Sequence, residues 1–300
     1  MSESETLQMQ AHWKMLLEQS NPVTIAAAVP FYANQDGRVT ACGSGVLLAV
    51  GERRFILTAA HVLDFQEVMG LPLAVGGAGE GVFLEPLDTL KIYRSPYSLD
   101  LQIEENYSDL RKQESDPIDT GIAEITPRMA EVLQQGKRFA TLQEVDVEKP
   151  HTPGAFLIAG YPLKRSRVDP TERTATYEGG WFVTDFAAPP IREDRLALHF
   201  HYPSSGINLR GEEQAVDHPE GISGCGVWRI GDLRSIQMRG GNWNVDHVKL
   251  IGIEHGWFQS LRRVHVTPIH IAIQMIYKGY PDLQKVMDLN LGLITRAWQE

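Results

Sequence analysis

The sequence predicts a mostly-β protein in two halves, joined by a short helix and flanked by a helix at each end. Three observations carry that prediction. From Val23 onward the chain is a series of short apolar runs punctuated by Gly, Pro and Asp, the pattern of a barrel or sandwich. A single Thr126-Pro127 helix start interrupts the series, which then begins again. At the two ends, apolar residues recur at helical rather than strand spacing.

The elements follow in order. Residues 1–22 read as a helix, with Met9, Trp13, Leu16 and Leu17 on one face and Asn21-Pro22 as its stop. Residues 23–127 hold the first set of strands: "VTIAAAV", "GVLLAV", "RRFILT", "VFLEPL", "LKIY" and "GIAEI". The helix opened by Thr126-Pro127 turns Met129, Val132 and Leu133 to one side, and Gly136 suits its C-terminal end. With the polar stretch "ATLQEVDVEKPHTPG" it makes a helix and linker over 128–150. Residues 151–266 repeat the strand texture in "AFLIAGYP", "RTATYEGGWFVTDF", "RLALHFHYP", "GVWRI" and "VKLIGIEHGWF". Thr267-Pro268 caps a last helix within 267–300, with Ile269, Ala272, Ile273 and Ile276 at helical spacing.

Composition narrows the functional classes. Three hundred residues, 43% apolar and 22% charged, allow one large domain or two smaller ones. A net charge of −10 without a Lys/Arg run argues against nucleic acid as a partner. The opening "MSESETLQMQ" lacks the basic and apolar segments of a secretory signal. No apolar run approaches the roughly eighteen residues of a transmembrane helix, so no membrane partner is expected. The two cysteines, Cys42 and Cys225, exclude a disulfide scaffold and point to the reducing cytoplasm.

Three stretches carry reactive side chains. "FILTAAHVLD" places His61 just after an apolar run, and "DPIDTGIAEI" places Asp119 just before another. "GISGCG" sets Ser223 among glycines. A serine hydroxyl needs an adjacent base to become a nucleophile. "GSGVLL…ILTAAHV" resembles the His signature of the chymotrypsin-like (trypsin-like) serine proteases, and "GISGCG" resembles their nucleophile motif. "DTG" before an apolar pair is similar to their Asp motif, and "AGYP" resembles a turn of the family's bacterial-type branch. The order His–Asp–Ser is the family's order. The resemblance spans Val23 to Ile276. It implies two six-stranded antiparallel β-barrels, the first carrying His and Asp and the second Ser, with the terminal helices added to this core.

The resemblance also assigns roles. His61 takes the proton from Ser223, Asp119 orients and stabilises the imidazole, and the acyl-enzyme passes through a tetrahedral oxyanion. The backbone N–H groups of Gly221 and Ser223 form the oxyanion hole. Asp116 is a rival for the acid, and Asp100 a remoter one. Substrate is expected at Asp217, six residues before the serine, and along Ile253, Glu254, His255 and Gly256. Asp217 as a buried carboxylate favours Lys or Arg at the cleavage site, and as a solvated one it does not.

The pattern departs from the secreted enzymes at two places. Ile222 stands where an Asp would receive a freed N-terminus, so activation by that route is closed. Val62 follows His61, so Cys42 lacks the family's disulfide partner there. Both cysteines then read as small packing residues. His199 and His201 share one side of a strand but lack a third ligand, so no metal and no cofactor is implied. His265 and His270 read as surface or helix-end residues. The expected activity is serine-type endopeptidase on a protein or peptide substrate. The terminal helices are candidates for a regulatory or homo-oligomeric contact. Two alternatives stand beside it: an esterase using the same triad, and a gated fold serving as a binding or scaffold module.

Overall fold

Alternation along the strands sorts the apolar side chains into three layers separated by two sheets. The structure, a computed structural model, describes residues 3–76, 82–95, 118–148, 154–169, 174–184, 187, 197–207, 213–216, 218–231, 243–259 and 262–292. In the first half, β1 (Ala28–Gln35), β2 (Arg38–Val50), β3 (Arg53–Thr58), β4 (Leu73–Gly76), β5 (Val82–Pro86), β6 (Thr89–Arg94) and β7 (Gly121–Ile125) form one antiparallel sheet in the order β5-β4-β1-β2-β3-β7-β6. The two-residue β8 (Ala140–Thr141) runs parallel beside β2.

In the second half, β9 (Ala155–Gly160) is followed by the hairpin β10 (Ser166–Asp169) and β11 (Thr174–Tyr177). Then come β12 (Gly180–Thr184), β13 (Leu198–His201), the short pair β14 (Ser205–Ile207) and β15 (Glu213–Ala215), β16 (Gly226–Gly231), β17 (Lys249–Phe258) and β18 (Arg263–Pro268). The second sheet has six strands in the order β12-β9-β16-β17-β18-β13. Apart from β8, both sheets are antiparallel, and they curl into half-barrels, the two-barrel architecture that the sequence predicts.

The first sheet exceeds the six strands expected of it. The hairpin β10–β11, within the range assigned to the second barrel, hydrogen-bonds through β11 onto β5. β10 alternates half-buried and exposed residues, so it offers no apolar face to a core and suits a sheet margin.

One face of the first sheet meets its own core. Val29, Phe31, Leu47, Ile56, Ala123 and Ile125 pack there with Val62 and Leu63. The other face, with Val46, Leu48, Phe55, Leu57 and Ile122, packs on Leu157, Ala159, Trp228, Ile230 and Leu250 of the second sheet. The far side of the second sheet buries Phe156, Ile158, Phe200, Val227 and Val264. Neighbours in sequence, such as Leu47 and Leu48, thus enter different cores, as the strand period of two dictates.

The terminal helices complete the central layer. α1 (Glu3–Thr24) runs past Pro22 instead of stopping at Asn21. Pro22 stands near the end, where the lost N–H costs one hydrogen bond. Leu16 and Leu17 anchor this end in the core. The Ser20 and Thr24 hydroxyls donate to the carbonyls of Leu16 and Ser20, keeping the last turns bonded. α2 (Ala60–Glu67) leaves β3. α3 (Pro127–Gln134) starts as predicted, the Thr126 hydroxyl accepting the Met129 N–H.

α4 (Ile269–Gly279) buries Ile269, Ala272, Ile273 and Ile276 in the central core, as predicted, and α5 (Gln284–Leu291) follows. Its cap differs from expectation. Pro268 holds the N-cap position, while Thr267 stays in β18 and turns its hydroxyl to Asp119. Arg53 ties this end to the first sheet by donating to Glu124 and Asp282. No helix among the described residues is long and apolar enough to cross a membrane.

Candidate active site

His61 is the second residue of α2, one turn-length beyond β3. β3 pairs with β7 through Thr58 and Gly121, which sets Asp119, just ahead of β7, beside the start of α2. The result is a two-point contact. Asp119 Oδ2 lies 2.6 Å from His61 Nδ1, and Asp119 Oδ1 accepts the His61 backbone N–H at 3.1 Å. The Thr267 hydroxyl accepts the Asp119 N–H at 3.3 Å, so β18 holds the backbone of residue 119.

Electrostatics matches this geometry. Burial disfavours the protonated imidazole, yet the Asp119 carboxylate outweighs it and holds the His61 pKa above its ordinary value. Burial likewise opposes ionisation of Asp119, but His61 and then His255 overcome it and keep that pKa low. Asp119 therefore stays an anion that accepts the Nδ1 proton, leaving Nε2 free to act as a base. Asp64, three residues after His61, is buried, which raises its pKa, and it pairs with Arg94.

The Ser223 turn is clamped from both sheets. Ser44 of β2 donates its N–H to the Ser223 carbonyl at 2.8 Å. Its hydroxyl donates to the Gly221 carbonyl at 2.9 Å and accepts the Tyr161 N–H at 2.9 Å. The Thr58 hydroxyl donates to the Ser44 carbonyl. From the second sheet, Glu254 accepts the Gly224 N–H at 2.7 Å and donates its own N–H to Cys225 at 2.9 Å. Within the turn, Ile222 and Cys225 donate to Pro219 and Ile222. Among the described residues, no hydrogen bond takes up the N–H of Gly221 or Ser223.

Two glycines make this approach feasible. Gly221 and Gly224 have φ of +89° and +93°, which favours glycine. A Cβ on Gly224 would lie 2.1 Å from both the Ser44 carbonyl oxygen and the Thr58 hydroxyl, and 3.0 Å from the Ala59 nitrogen. The turn thus passes against the segment that leads to His61. A Cβ on Gly221 would meet the Leu163 nitrogen at 2.6 Å.

The remaining predicted residues divide. Ile253 and Glu254 are buried in β17, while His255 and Gly256 are half-buried at a bulge between Glu254 and Gly256. Asp217, and the rival acids Asp116 and Asp100, lie outside the described residues. Ile222 packs with Phe156, Ile158 and Val227 as an apolar residue. Cys225 is fully buried, and burial followed by the nearby Glu254 raises its thiol pKa well above the ordinary value. Cys42 is also raised by burial, to about 12. Both thiols are free.

His265 is not a surface residue. It lies half-buried in β18 with its ring 4.2 Å from that of His199, and burial, then His199, His255 and Arg263, lower its pKa to about 2. No group of three or more potential metal ligands gathers among the described residues.

Ser44, within "GSGVLL", and Thr58 form a clamp that the motifs alone do not spell out. Their signal was the small polar residue set inside otherwise apolar strands. Thr267 beside Asp119 is masked in the sequence, because Thr-Pro also reads as a helix cap.

No protein-family model matches this sequence. No curated protein matches it. Three solved structures illustrate what the fold is similar to. Catalytically active tobacco etch virus protease complexed with product is 12% identical over 86% of this chain and 80% of that one, with a TM-score of 0.42. The serine endoprotease from Yersinia pestis is 13% identical over 89% of this chain and 65% of that one, with a TM-score of 0.47. A thermostable serine protease from an extremophilic microorganism is 11% identical over 81% of this chain and 91% of that one, with a TM-score of 0.46.

Proposed function

We propose that this protein is a serine endopeptidase that cleaves peptide bonds through an acyl-enzyme. The observation that carries this reading is the two-point contact between Asp119 and His61, set beside a glycine turn that holds Ser223. Ser223 Oγ attacks the scissile carbonyl while His61 Nε2 takes its proton, and the imidazolium then passes that proton to the leaving amine. A water attacks the acyl-enzyme in the second half-reaction, with His61 again as the base. The N–H groups of Gly221 and Ser223 bind the oxyanion, a contribution of about 3–4 kcal/mol for such a donor.

Two features of Cys225 support serine rather than cysteine chemistry. Cys225 is two residues from Ser223, but its side chain is buried and its thiol is held protonated. A nucleophilic cysteine needs an accessible thiolate. The substrate chain would run beside His255 and Gly256, where the bulge interrupts β17 pairing. Asp217 remains the candidate for recognition of a basic side chain. No metal or cofactor enters the mechanism. The two free thiols support a cytoplasmic location.

A peptide-library cleavage profile tests this reading. Wild type is expected to cleave internal peptide bonds, and S223A, folded by circular dichroism, is expected to cleave none. Ester turnover without peptide cleavage would move the assignment to an esterase. No turnover of either, with or without added partners, would leave a binding module.

A further inference from the structure

Glu254 is a buried acid that the mechanism above does not use. It is 1% exposed, and its Oε2 makes no hydrogen bond among the described residues. A carboxyl buried with an unsatisfied oxygen is costly to keep unless it serves the site. Its position is fixed by the nucleophile turn, since its backbone bonds both Gly224 and Cys225. Gly224 in turn abuts Thr58 and Ala59, two residues from His61.

The groups facing Glu254 come from three segments. They are His61 on α2, Asp119 before β7 and Cys225 in the nucleophile turn. His61 is also faced by Asp119 and Asp64, the latter neutralised by Arg94, and Asp119 is faced by His255. Cys225 is buried and protonated, so it adds no charge near neutrality.

We propose that Glu254 is a positioning residue that acts through His61, its carboxyl stabilising the imidazolium formed when Ser223 gives up its proton. The proposal rests on the peptidase reading for its catalytic consequence. The step is balanced. The Ser223 Oγ–carbon bond forms, the Oγ proton moves to His61 Nε2, and the carbonyl electron pair moves to the oxyanion. Glu254 forms no covalent bond.

Burial, then the Asp119 charge, raises the Glu254 pKa to about 8 even though His61 pulls it down. Glu254 is therefore neutral at pH 7. Its ionised form raises the His61 pKa. Above the His61 midpoint the two groups share one proton, and their titration belongs to the pair. As pH rises through about 8, that proton leaves and the site gains a second carboxylate facing the imidazole.

The test is an NMR titration of the His61 ring in the full chain, for wild type and E254Q, run beside kcat/KM profiles on one peptide. The wild-type ring is expected to report two steps, the alkaline one near pH 8. E254Q should show one step, moved to lower pH, because the carboxylate charge that raises the His61 pKa is gone. The second rise in kcat/KM should be absent from E254Q. A folded E254Q whose His61 titrates as in wild type would overturn the proposal, as would a single-step wild-type ring. The wild-type titration decides the matter alone if E254Q does not fold. A shifted His61 without peptide cleavage would sink the peptidase reading while leaving the coupling in place.

Discussion

Asp119→Asn probes the contact on which the mechanism depends. In wild type one carboxylate oxygen accepts the His61 N–H and the other faces Nδ1 at 2.6 Å. An asparagine can keep only one of these acceptors. If its oxygen stays on the backbone N–H, its NH₂ faces Nδ1, which must then be the unprotonated nitrogen. The ring proton moves to Nε2, toward Ser223, and His61 can no longer take the serine proton. Loss of that tautomer costs about four orders of magnitude in kcat, or roughly 5 kcal/mol of barrier. KM should change little, because the substrate contacts are elsewhere. Thr267 holds the backbone N–H of residue 119 and needs no carboxylate, so the fold should survive. The assay is steady-state cleavage of a peptide found by the library profile, with near-ultraviolet circular dichroism as the control. Activity within tenfold of wild type would refute the role given to Asp119.

Four further outcomes are expected. G224A places a Cβ 2.1 Å from the Ser44 carbonyl at a φ of +93°, and strain of about 1–3 kcal/mol or more should lower Tm in thermal denaturation; an unchanged Tm would show that the turn is loose. S44A leaves the buried Tyr161 N–H without its acceptor, a cost of about 1–3 kcal/mol, and kcat should fall more than KM rises; unchanged kcat would free the turn from the clamp. Activity needs neutral His61, whose pKa is raised, so kcat/KM should fall with decreasing pH through a midpoint above 6.5; a midpoint below 6.5 would contradict the Asp119 pairing. Iodoacetamide on native protein should leave activity intact because Cys225 is fully buried and protonated; rapid inactivation that C225A prevents would shift the nucleophile to cysteine.

Much of this was legible in the chain. The short apolar runs "GVLLAV" and "FILT" marked strands, and their two faces enter two cores. The apolar spacing of Ile269, Ala272, Ile273 and Ile276 marked the helix that fills the central layer. His61 and Asp119 stood out because each adjoins an apolar strand, and pairing of those strands is what joins them. Other features depend on contacts far apart in sequence. Pro22 reads as a stop, but burial of Leu16 and Leu17 and two hydroxyl bonds carry α1 through it. Thr267 reads as a cap, but its hydroxyl is used by a residue 148 positions away. The β10–β11 hairpin follows a second-barrel strand yet joins the first sheet, a choice made by the edge of β5. Burial of Glu254 comes from the closure of the nucleophile turn over β17, which local spacing does not encode.

The account stands or falls on whether Ser223 is an assembled nucleophile. A fluorophosphonate probe, followed by peptide mapping in a mass spectrometer, reads this directly. The account predicts a single adduct on Ser223, absent from S223A and strongly slowed in D119N. An adduct on another residue, or none on the folded wild-type protein, would contradict it.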